Sequence, residues 1–159
     1  MVGRDRFVAV FHHDAAGPQD DGTQSLGYSI RDGLTGATLA AGNVAALSAG
    51  SELAWAGFTD KCALAVMDSA GTLSVLARYG GGSAAVPQHG VGGNWMPVLD
   101  TLGLRRTKDD RYWPVEVHGG KLVCVPLRGG KEHPDAARRP VTTTVPLRVP
   151  MAMGLTVKT

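Results

Sequence analysis

Cysteine is nearly absent from this chain: Cys62 and Cys124 stand alone among 159 residues. No Cys-x-x-Cys pair occurs, so zinc sites of that spacing are unsupported. Both cysteines fall within apolar runs and are expected to be buried, reduced thiols. No Asn-x-Ser/Thr sequon is present, and no apolar run approaches the length of a membrane span. The stretch "FVAVF" (7–11) is too short for the hydrophobic region of a signal peptide. The chain is therefore expected to be soluble and intracellular. Sustained i, i+3, i+4, i+7 apolar spacing is missing too, which argues against long amphipathic helices. His-Glu-x-x-His is missing, and the glycine-rich stretch 80–93 lacks the Gly-Lys-Ser/Thr ending of a phosphate-cradling loop.

What remains is turn chemistry between short apolar runs. The chain carries 22 glycines and 9 prolines, and their placement favours strands over helices. Its length suits one domain with a real core. "RDRFVAVFHH" (4–13) reads as a first strand, "PQDDGT" (18–23) as a loop and "SLGYSIRD" (25–32) as a second strand. "ATLAAGNVAAL" (37–47) is a third strand or a short helix. Strands at 53–58, 63–67, 72–77 and 95–99 follow, the last after the glycine-rich loop. Four meandering strands in roughly 50 residues are the size of one propeller blade. Beyond the charged loop 105–110, segments 111–119 and 121–129 form a hairpin around Gly119-Gly120. Segment 141–152 is extended, with Pro146 and Pro150 marking an edge.

The segment "CALAVMDSAGTLSVLA" (62–77) poses the sharpest choice. A serine beside an aspartate suggests catalysis, but a nucleophile elbow needs glycine two residues either side, and Met67 precedes Ser69 by two. Asp68 and Ser69 can instead bond the local backbone, and Gly71 can supply positive φ, so a tight hairpin turn is expected.

Other clusters are weighed the same way. His12-His13-Asp14 lies on a strand, where neighbouring side chains point to opposite faces and rarely share a metal. His89, His118 and His133 are far apart in sequence. Trp55, Trp95 and Trp113 fit core packing better than base stacking. Residues 1–60 hold 3 basic and 7 acidic side chains, residues 61–159 hold 13 and 7. Arg105, Arg106, Lys108 and Arg111 gather in one stretch and offer a weak electrostatic contact to nucleic acid. No catalytic constellation, metal site or cofactor site is assembled. The competing enzymatic reading is a small β-rich hydrolase or metal-dependent enzyme using Ser69 or His12/His13.

Four stretches in order carry a family resemblance: "LAWAGF" (53–58), "MDSAGTLSVL" (67–76), "NWMPVLDT" (94–101) and "DRYWPVEVHGGKLVCVPLRG" (110–129). They mark Leu53, Trp55, Gly57, Phe58, Asp68, Ser69, Gly71, Asn94, Trp95, Pro97, Tyr112 and Trp113. The series resembles the SepB domain of the replisome adaptor family. Its members are called acidic nucleoplasmic DNA-binding protein in animals, and chromosome transmission fidelity or minichromosome loss protein in fungi.

The resemblance implies a nuclear, non-enzymatic scaffold. Its fold would be a β-propeller of about six blades that associates as a trimer. It also implies a helical bundle, absent from these 159 residues, that captures GINS and DNA polymerase alpha and so supports replication and sister-chromatid cohesion. The expected fold here is all-β: antiparallel meander blades of a partial propeller, about two and a half to three of them. Residues 1–152 would be the C-terminal half of the ring, and 153–159 a tail toward the helical domain.

Overall fold

A computed structural model describes residues 1–15, 17–77 and 94–148. The glycine-rich stretch 80–93 with His89, Pro150, and the tail 153–159 lie outside the described residues. The described residues form β1 (Val2–Arg4), β2 (Phe7–His13), β3 (Leu26–Asp32), β4 (Thr38–Asn43), β5 (Leu53–Phe58), β6 (Leu64–Asp68), β7 (Thr72–Ala77), β8 (Asn94–Asp100), β9 (Arg111–His118), β10 (Lys121–Leu127) and β11 (Thr143–Pro146). A 3₁₀ turn, Leu102–Leu104, follows β8.

These strands make three open antiparallel meanders: β1-β2-β3-β4, β5-β6-β7-β8 and β9-β10-β11. The first strands stand side by side, β1 against β5 and β5 against β9. Neighbouring sheets share apolar cores across their faces. That is the arrangement of successive propeller blades about an axis. The chain is all-β, and its described residues form two four-stranded blades and one three-stranded blade of a partial propeller.

The middle blade is covered on both faces, and β6 is buried at every position. Leu64 and Val66 pack with Phe58, Leu76, Tyr28 and Ile30 into the core shared with the first blade. Ala65 and Met67 point the other way, with Leu73, Val98, Val117, Leu122 and Cys124. Alternation across the pleat thus divides one apolar run between two cores, as a strand buried on both sides requires. Truncating Leu64 to alanine should cost about 2–5 kcal/mol.

Some sequence expectations change. The stretch 4–13 is two strands: Arg4 pairs with Phe7 around an Asp5-Arg6 turn. Asp5 takes φ 52°, which aspartate tolerates better than most residues. Its partner in the turn, Arg6, is held by an ion pair to Asp32. The strand-or-helix at 37–47 is strand β4, paired with β3. There Gly42 leaves room for the Tyr28 ring, since a Cβ would stand 3.2 Å from its Cε1. Cys62 is half-buried in the β5–β6 turn at φ 55° rather than in a strand. Cys124 is fully buried, and burial pushes its thiol up to about 11.

Prolines sit where a missing N–H is tolerated. Ser74 pairs with Pro97 and Leu73 with Leu99, leaving Val98 as the extra residue of a bulge. Cys124 pairs with Pro114 and Val123 with Glu116, leaving Val115 extra in the same way.

Candidate functional site

The motif residues separate into two places. Phe58 is buried between the first and second blades, with Leu53 and Trp95 packed beside it. Trp95 meets Tyr28 edge-on at 5.5 Å and donates from Nε1 to the Asn43 carbonyl at 3.0 Å, tying the outer strand of one blade to the other. Asn94 is exposed on β8, and Pro97 marks its bulge. Gly57 serves Trp55: a Cβ there would stand 2.6 Å from the indole Cζ2, so the ring lies across the glycine.

Asp68, Ser69, Gly71, Trp55, Tyr112, Trp113, Arg105 and Arg111 come together elsewhere. They line a cleft of about 160 Å³ where the second blade meets the start of β9. One wall is the Asp68–Gly71 turn, which is locked from both sides. Asp68 is 2% exposed. One carboxylate oxygen accepts from the Thr72 N–H at 2.8 Å; the other accepts from the Ser48 N–H at 2.9 Å. Gly71 takes φ 93°, and its carbonyl accepts from both the N–H and the hydroxyl of Thr101. Ser69 accepts from the Glu52 N–H at 3.1 Å and donates its own N–H to the Glu52 carbonyl at 2.8 Å. The turn is therefore stitched to the connections that precede and follow its blade, 44–52 and 101–110.

The second wall is built on Asp110, 2% exposed. Desolvation raises this carboxyl, but hydrogen bonds from the Thr107 hydroxyl, Arg128 and the N–H groups of Thr107 and Arg106 outweigh it and hold it below the usual carboxylate range. The same bonds fold the 105–110 loop back on itself. Tyr112 donates its hydroxyl to the Leu104 carbonyl at 2.9 Å. Trp113 is 40% exposed at the rim and meets the His133 ring edge-on at 5.2 Å. Arg106 and Lys108 are exposed and do not line the cleft.

Among the described histidines, His12 and His13 are not brought to this place. His12 and His13 lie at the end of β2, with the His12 ring over Gly27 of β3, where a Cβ would collide with it. Among the described residues no group of three or more His, Cys, Asp or Glu is placed to hold a metal. The sequence reading missed Asp110, Thr101, Ser48 and Asp32. A buried aspartate followed by Leu34 and Gly36 in turn geometry marks Asp32, and its signal, Asp before a Gly-containing turn, was available. The roles of Thr101 and Ser48 depend on contacts made 30 and 20 residues away.

Stacked antiparallel blades with a cleft at their junction define a partial β-propeller. Comparison with known sequences gives the particular family. The sequence model described as "Minichromosome loss protein, Mcl1, middle region" matches residues 1–151, and the chain belongs to that family. Minichromosome loss protein 1 of Schizosaccharomyces pombe is 32% identical over 136 residues, 84% of this chain and 16% of that protein. WD repeat and HMG-box DNA-binding protein 1 of Homo sapiens is 27% identical over 161 residues, 99% of this chain and 13% of that protein. Protein ENHANCER OF LHP1 1 of Arabidopsis thaliana is 30% identical over 107 residues, 67% of this chain and 10% of that protein. The chain thus spans under a fifth of the length of each of these relatives.

Proposed function

We propose that the chain serves as part of a non-enzymatic scaffold of the DNA replication fork in the nucleus. In this reading its blades belong to the C-terminal half of an adaptor propeller. Trimers of that propeller link the replicative helicase to DNA polymerase alpha and support sister-chromatid cohesion. The observation that carries the reading is family membership across residues 1–151. GINS and DNA polymerase alpha are captured by a helical bundle outside these residues, so the part played here is ring and trimer assembly.

The positions of the candidate catalytic groups favour a scaffold over a small hydrolase. Ser69 is engaged with the Glu52 backbone, and His12 covers Gly27. Ser69→Ala and His12→Ala proteins are expected to show the same metal content and the same absence of esterase turnover as the parent. Stoichiometric metal lost together with activity would establish the enzyme instead. The name of the animal relative includes DNA binding. For this chain, contact through the exposed Arg106 and Lys108 would be electrostatic, weakening steeply between low and physiological salt.

The decisive experiment isolates newly synthesised DNA from cells carrying the tagged protein. Recovery with nascent DNA, together with GINS and DNA polymerase alpha, and loss after a chase is the expected result. Equal recovery from mature chromatin without those proteins would sink the scaffold reading.

A further inference from the structure

We propose that the cleft between the second and third blades docks an acidic, extended peptide segment of a partner protein, with the Arg105 guanidinium receiving its carboxylate. The cleft stands or falls apart from the replication reading, because it rests on local chemistry alone. Arg105 Nε is buried and has no acceptor among the described residues. A buried N–H without a partner is rare enough to call for an explanation. Three other arginines have acidic partners: Arg6 pairs with Asp32, Arg128 with Asp110 and Arg138 with Asp135. Two buried acids, Asp68 and Asp110, are already committed. Both Asp68 oxygens accept backbone N–H groups, and Asp110 serves Thr107, Arg106 and Arg128. Arg105 also lines the cleft, so a carboxylate entering there can pair with the guanidinium, which recognises that planar group well.

The walls describe the rest of the ligand. Trp55, Tyr112 and Trp113 line the same cleft, with Arg111 beside them. About 160 Å³ is below the usual size of a small-molecule pocket and suits one or two amino-acid side chains. The fitting occupant is an aspartate or glutamate next to an apolar residue. A nucleic-acid strand fits less well. It needs cations spaced along its phosphates, whereas Arg106 and Lys108 stand outside the lining; Glu132, within it, opposes phosphate and carboxylate alike and separates neither ligand.

The test pans a random peptide library, displayed on phage, against the full chain. Recovered sequences should share an acidic position. A synthetic peptide taken from them should lose about tenfold in affinity, near 1.4 kcal/mol, when its acid becomes the amide. The same loss is expected on Arg105→Met, with Arg105→Lys intermediate. Trp113→Ala, at an exposed rim position, should weaken binding without lowering the melting temperature, and so keeps the test open if Arg105→Met fails to fold. Three outcomes would overturn the proposal: no peptides or peptides without a common acid, affinity unmoved in both Arg105→Met and Trp113→Ala, or displacement of the peptide by single-stranded DNA that binds more tightly through Arg105.

Discussion

Two hairpin turns in this chain do the same covalent job in opposite surroundings. Asp68–Gly71 joins β6 to β7, and Gly119-Gly120 joins β9 to β10. Both use glycine at positive φ, 93° at Gly71 and 57° and 70° at Gly119 and Gly120. At Gly119 and Gly120 a Cβ would meet nothing within 4 Å. At Gly71 it would run into the Thr101 side chain, beneath an arginine. The exposed turn needs glycine only for its dihedral angles. The buried one needs glycine for space as well, because the connections on either side of its blade close over it. Equivalent turn chemistry in sequence therefore hides unequal structural weight.

Substitution at the two glycines separates these demands most strongly. Gly71→Val combines left-handed strain with a clash, and should destabilise the chain by about 3 kcal/mol or more in a denaturant titration. A loss no larger than that of Gly119→Val would erase the distinction. Asp68→Ala comes next. It strips acceptors from the Thr72 and Ser48 N–H groups, for an expected cost of about 2 kcal/mol. The melting transition should stay cooperative but shift downward.

Acid probes the same contrast. Asp32 is held below its ordinary value first by the Leu34 N–H, Asp60 first by the Gly119 N–H, and Asp110 by bonds that overcome its burial. Each depressed carboxyl binds fewer protons folded than unfolded, so its contribution is present above the unfolded value of 3.8 and is lost as pH falls through the lower folded value. The melting temperature should be flat from neutral pH to about 5 and drop below about 4. Asp110→Asn should lower stability at neutral pH and flatten part of that acid limb. A melt that falls as steeply in the variant as in the parent would remove Asp110 from the account.

The smallest effect belongs to the open turn. Gly119→Ala should cost about 1 kcal/mol, and Gly119→Asn less, since asparagine accepts the left-handed region more readily.

How much of this was legible before folding follows from the range of each interaction. The strand order, the Gly119-Gly120 hairpin and the Asp68 turn rest on alternation and turn residues within a few positions, and they read directly. The Asp5-Arg6 break did not, because its turn carries no glycine and is secured by Asp32, 26 residues on from Arg6. The alanine-rich β4 was ambiguous because small residues suit either state. It is decided by pairing with β3 and by the fit of Gly42 against Tyr28. For the candidate site, the tryptophans, the Asp68 turn and the arginine cluster stand in the sequence as separate motifs with nothing local to join them.

By itself, then, the amino-acid order determined the all-β class, the meander and the family, since each depends on local period and on the succession of short motifs. Tertiary structure alone decided which of those motifs meet. Trp55, Arg105 and Tyr112 lie on different elements and become neighbours only when the third blade stacks on the second. It also decided that Arg105 and Arg111 line a cleft while Arg106 and Lys108 do not. The physical reason is that burial and hydrogen-bond satisfaction are properties of surroundings. Arg105 differs from Arg106 because the described residues close around its Nε and supply no acceptor, and no property of either residue within the sequence distinguishes them.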